Sequence, residues 1–144
     1  MDRMSNARHF MAVMLALPVL AASAWAQSVD VSLALEPKEQ APGGDVTALV
    51  QFSCPSGLHV QADGLTIKLD DEKATAPVSA LGPPRFPEPK QEYDKLLEMD
   101  LRYFEGRFRA EVPLRVSPEA GPGQYEVAFS VDYVACEADR CLME

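Results

Sequence analysis

The sequence predicts an all-β domain, an antiparallel β-sandwich of immunoglobulin-like outline. Three observations carry this. Two long stretches alternate apolar and polar residues with period two. Pro- and Gly-rich turns punctuate the chain at sandwich-like spacings. No stretch shows a convincing amphipathic helical pattern, apart from a doubtful turn at Gln91–Leu96.

The first segment stands outside that domain. Arg3 and Arg8 form a weakly basic start, Phe10 to Leu20 is an apolar run of 11 residues, and Ala24-Trp25-Ala26 reads as an A-x-A cleavage site. This is the layout of a secretory signal peptide. The apolar run is short of the roughly 20 residues that a membrane-spanning helix needs. The expected division is therefore a signal peptide over 1–26 and one β-sandwich domain over 27–144. Taking 26 from 144 leaves 118 residues, enough for a core without a dense disulfide framework. Loss of Asp2, Arg3 and Arg8 moves the net charge from -9 to -10. Such an acidic chain lacks the basic patches that nucleic acid requires.

Six strands are expected in order. Val29–Leu35 is a weak one. Val46–Cys54 places Val46, Ala48, Val50, Phe52 and Cys54 on one apolar face. Leu65–Leu69 and Leu97–Tyr103 are again weak. Arg107–Val116 alternates without a break, with Phe108, Ala110, Val112, Leu114 and Val116 on the apolar side. Pro113 cannot donate to a ladder, which predicts an edge or a bulge there. Gln124–Tyr133 alternates similarly, with Tyr125, Val127, Phe129, Val131 and Tyr133 facing inward. Pro87 and Pro89 make Phe86–Lys90 an expected surface loop.

Three cysteines remain to be assigned. Export makes a disulfide stable and leaves one thiol over. Parity points Cys54 into the core as a small buried hydrophobe. The same argument puts Cys136 on the polar face with Ser130 and Asp132, within reach of solvent or of a partner. Cys141 follows after Glu137-Ala138-Asp139-Arg140, a segment able to fold back as a tight hairpin within disulfide range. So short a bridge stabilises little, by about 2 kcal/mol, and suits redox exchange better than structural stapling. Asp132, Glu137 and Asp139 against Arg140 alone disfavour a thiolate, so the pair is expected to act only when a partner's reactive thiol or disulfide is brought to it. A Cys3His zinc site of Cys54, His59, Cys136 and Cys141 is the less favoured alternative. His59 reads as an ordinary strand-end residue. No other nucleophile–base constellation is present.

Several motifs occur in a telling order. Pro55-Ser56-Gly57-Leu58-His59-Val60 follows a strand. Phe86-Pro87-Glu88-Pro89 precedes Tyr103-Phe104-Glu105-Gly106. Val112-Pro113-Leu114 lies within the long strand. Val131-Asp132-Tyr133-Val134-Ala135-Cys136 and Cys141-Leu142 close the series. Together they resemble the N-terminal periplasmic domain of the thiol:disulfide interchange protein DsbD and its stand-alone relatives, over roughly Val46 to Leu142. The resemblance implies an immunoglobulin-like sandwich in the periplasm, with Cys136 and Cys141 as its redox pair. It implies that Cys136 forms the mixed disulfide and Cys141 helps to resolve it. Electrons would come from a membrane-embedded thiol reductase and pass to periplasmic thioredoxin-like proteins, with no cofactor, metal or small-molecule substrate. It also implies a cap loop whose aromatic residue shields the cysteines; Phe86 is the first candidate and Tyr93 the second. Two departures stand out. The cysteine spacing is four residues, as in stand-alone relatives. A closing strand after Leu142 is expected to be absent: the sequence is a fragment, or that strand is lost or supplied by another chain. The alternative function is a non-catalytic immunoglobulin-like binding or assembly module with a structural disulfide.

Overall fold

A computed structural model of the chain describes residues 28–95, 97–137 and 141–143. The expected signal peptide lies outside the described residues. The described part contains eleven strands and no helix. In chain order they are β1 (Asp30–Glu36), β2 (Asp45–Ser53), β3 (His59–Gln61), β4 (Thr66–Leu69), β5 (Val78–Ala80), β6 (Lys90–Asp94), β7 (Met99–Glu105), β8 (Arg107–Val116), β9 (Phe129–Asp132), β10 (Val134–Cys136) and β11 (Cys141–Met143).

They form two main sheets and a small third one. The first runs β1-β2-β8-β5, the second β11-β10-β3-β7-β6, and β4 pairs with β9. Every ladder is antiparallel. This is an immunoglobulin-like sandwich, as the alternation predicts.

The core lies between the inner faces. Val46, Ala48, Val50, Phe52 and Cys54 are all buried, so β2 points inward as its parity requires. From β8 come Ala110, Val112 and Leu114, and the second sheet adds Val60, Phe104 and Ala135. Aromatic rings bind the layers: Phe108 stacks on Phe52 and on Phe104, each at 4.5 Å between centroids, and Tyr133 meets Phe52 edge-on at 6.3 Å. Offset and edge-on arrangements are the favoured ones for such pairs. Gly106 passes the chain from β7 to β8 at a φ of 65°, a left-handed turn that glycine adopts without steric cost. Its carbonyl accepts the Cys54 amide at 2.8 Å, which ties the end of β2 to that corner.

Three expectations need correction. Pro113 does not mark an edge: β8 lies between β2 and β5. Its missing N–H shows instead as an interruption. The β5 ladder stops at the Ala80–Leu114 pair, and only the Pro113 carbonyl is used, by Leu81 N at 2.8 Å. The segment around Gln91–Leu96 is no helical turn, because Lys90–Asp94 forms β6 against β7. The strand expected over Gln124–Tyr133 is shorter and broken. β9 covers only Phe129–Asp132, the chain leaves the ladder at Tyr133, and β10 resumes in a different sheet. That switch delivers Cys136 to the five-stranded sheet.

Candidate redox site

The site is built on β10 and β3. Pro55 and Gly57 shape the turn before β3, in which Leu58 N donates to Pro55 O at 3.1 Å. Gly57 takes a φ of 86°, again a conformation suited to glycine. This turn sets the register of β3. In that register Ala135 opposes Val60 and Cys136 opposes His59. On its other side β3 pairs with β7, so that His59 opposes Glu105 and Gln61 opposes Tyr103.

Opposed residues of an antiparallel pair point to one face, as do residues i and i+2. Cys136, His59, Gln61, Tyr103 and Glu105 therefore share the outer face of the sheet. Val60, Phe104 and Ala135 fill the inner one. The rings of His59 and Tyr103 lie 4.9 Å apart. Gln61 Nε2 donates to Cys136 Sγ at 3.3 Å. Lys90 pairs with Glu105, and the Tyr103 hydroxyl donates to Glu92 Oε2 at 3.3 Å. Desolvation, with Glu92 and Glu105 nearby, raises the Tyr103 pKa and keeps the phenol protonated at neutral pH. A shallow depression of about 430 Å³ opens beside this face, bordered by His59, Lys90 and Glu105, with Cys54 among its lining residues.

Cys136 and Cys141 oppose each other across the β10–β11 hairpin and form a disulfide, with Cα atoms 4.0 Å apart. β11 thus takes the position at the edge of the sheet. The two cysteines differ in exposure. Cys141 is exposed, whereas Cys136 is only 2% exposed. Parity placed Cys136 on the correct face, away from the core cluster, but the expected solvent reach is wrong. Asp132 is engaged by the Thr66 hydroxyl at 3.2 Å. Asp139 and Arg140, part of the charge argument, lie outside the described residues.

The third thiol, Cys54, is 8% exposed within the core cluster, and burial pushes its pKa up. It is an inert packing residue in this setting. Among the described residues no group of three or more potential ligands is gathered for a metal.

The cap candidates lie elsewhere. Phe86 stacks on Phe104 at 6.2 Å, on the inner side of β7 and so across the sheet from the cysteines. Tyr93 is 57% exposed near the far end of the β6–β7 hairpin, opposite Asp100. At about 3.3 Å per residue, that is roughly 17 Å along β7 from the row of Glu105, His59 and Cys136. The residues beside Cys136 are His59, which the sequence offers only as a ligand of the less favoured zinc site, and Gln61, which it does not offer as a site residue. A three-residue strand is too short to display period two, and with β3 unrecognised their shared face with Cys136 was hidden.

The structure is thus a β-sandwich with a hairpin disulfide at the edge of one sheet. The chain belongs to the family of the thiol:disulfide interchange protein DsbD, N-terminal domain, whose model matches residues 31–144. The family is periplasmic. Among solved structures, the chain is similar to the reduced N-terminal domain of DsbD from Neisseria meningitidis. The identity is 14% and the TM-score 0.44, over 72% of this chain and 74% of that one. No curated protein matches the chain.

Proposed function

We propose that this is a periplasmic thiol–disulfide exchange module, delivered by the signal peptide over 1–26, whose reactive bridge is Cys136–Cys141. The observation that carries the reading is the asymmetry of the bridge, one cysteine exposed and one covered. A partner's thiolate reaches Cys141 Sγ and forms the mixed disulfide there. Cys136 leaves as a thiolate. The partner's second thiolate then attacks its own sulfur in the mixed disulfide and releases Cys141, so that two electrons have entered the pair. In the reverse direction the Cys141 thiolate attacks a partner disulfide, and Cys136 resolves the intermediate. These roles are the opposite of those that the family resemblance implied, because access rather than chain order decides which sulfur is attacked.

Family membership supports a membrane-embedded thiol reductase as electron donor and thioredoxin-like proteins as acceptors. The exchange needs no cofactor, since both steps are attacks of thiolate on disulfide.

Trapping tests the reading. In Cys136→Ala, Cys141 is free and should accumulate a mixed disulfide with a thioredoxin-like protein. In Cys141→Ala the covered Cys136 should not. Equal trapping by both variants would refute the assignment of roles. A bridge with a potential below about -300 mV that exchanges with no thioredoxin-like protein would favour a non-catalytic module with a structural disulfide.

A further inference from the structure

We propose that Gln61 is a catalytic residue of this exchange: its side-chain N–H holds the Cys136 thiolate that the disulfide releases. The inference deepens the exchange reading and rests on it. When a partner thiolate bonds to Cys141 Sγ, the Cys136–Cys141 bond breaks and its electron pair stays on Cys136 Sγ. That sulfur belongs to a residue only 2% exposed, so bulk water is poorly placed to solvate the new charge. An unsolvated buried ion is costly unless a donor meets it.

Gln61 Nε2 already lies 3.3 Å from that atom. A disulfide sulfur carries no hydrogen, so the contact is made with Gln61 as donor. After the bond breaks, the same donor faces a full negative charge. Hydrogen bonds to ionised acceptors are roughly twice as strong as neutral ones. The interaction therefore strengthens as charge develops, which is what accelerates a step rather than merely stabilising its start. The donor is also fixed in advance. Gln61 ends β3, a strand held between β10 and β7, and it pairs directly with Tyr103.

The other groups on this face have defined places. His59 of β3 packs on the Tyr103 ring. Tyr103 and Glu105 of β7 engage Glu92 and Lys90 of β6. Glu137 follows Cys136 in the chain. These charges set the field in which the thiol titrates, and Gln61 supplies the direct contact.

The test uses the full chain with Gln61→Leu, which removes the donor, and Gln61→Glu, which keeps the shape but presents an acceptor. Dithiothreitol is the probe dithiol. The second-order rate of reduction should fall about tenfold or more in both variants, the range expected for a hydrogen bond to a charged group. In the reduced protein the Cys136 thiol, followed by NMR of labelled cysteine, should titrate at least about one unit higher than in the wild type, and highest in Gln61→Glu. A purely structural role would leave that titration unmoved. Wild-type rates together with an unchanged Cys136 titration would overturn the role of Gln61 alone. A wild-type bridge that resists dithiothreitol would instead overturn the exchange reading beneath it.

Discussion

Reducing the Cys136–Cys141 bridge should lower the stability of the domain by about 2 kcal/mol, and the same quantity should reappear as a difference in potential. The bridge spans a sequence separation of 5, so it closes a loop of about six residues. Loop-closure entropy for that length gives about 2.2 kcal/mol at 25 °C. Oxidised and reduced protein, the latter kept in excess reductant, would each be unfolded in urea. The midpoints should differ while the slopes stay nearly equal, because the rest of the sandwich buries the same surface. A thermodynamic cycle links this to redox chemistry. If the bridge stabilises the native state by about 2 kcal/mol, the native bridge must be harder to reduce than the same bridge in the unfolded chain, by roughly 45 mV. The potential can be measured against glutathione with and without denaturant. Two results would refute the reasoning. A stability loss above about 4 kcal/mol would show the bridge acting as a staple for the whole fold. A stability loss well below about 1 kcal/mol, matched by a potential difference below about 20 mV, would mean that loop length does not set the energy.

Other outcomes follow from the packing and the surface pairs. Phe104→Ala removes a ring that contacts both Phe86 and Phe108 and should cost about 3–5 kcal/mol, read from urea unfolding. Cys54 should resist a thiol-specific reagent at pH 8 until the protein is unfolded, since burial both covers it and raises its pKa; rapid labelling of the native state would contradict its core position. The exposed Arg115 guanidinium bonds Asp45 at 2.7 and 3.2 Å and lowers its pKa. A depressed carboxylate contributes stability above its unfolded pKa, and that contribution is lost as pH falls through the folded value. Asp45→Asn should therefore bring a small loss at pH 7 that shrinks toward zero in strong acid, as urea midpoints at the two pH values would show.

The long strands were legible because they repeat. Arg107–Val116 shows its alternation five times over, and β8 has those bounds. Val46–Cys54 placed Cys54 inside for the same reason. What stayed hidden was short or depended on a neighbour. His59–Gln61, Val78–Ala80 and Val134–Cys136 have three residues each, too few to separate a period of two from chance. The break at Tyr133 was hidden too, since its parity continues inward on both sides while the pairing partner changes. Parity could say which face Cys136 occupies, but not what covers that face. The neighbours on that face come from β3 and β7, distant in sequence. The surroundings of the cap candidates were no more legible: an aromatic beside prolines suggests a lid, and the ring that Phe86 meets, Phe104, comes from a strand distant in sequence.

The position of Cys141 on the outermost strand has a consequence for order at that border. Three residue pairs join β11 to β10, and one of the three is the bridge itself. Opening the bridge leaves only the backbone pairing of β10 with β11 to hold the margin of the sheet. The redox state therefore also sets how firmly that margin is knit. Amide hydrogen exchange confined to 141–143 should quicken on reduction while β2 and β8 stay protected, giving a local reading of the electron count.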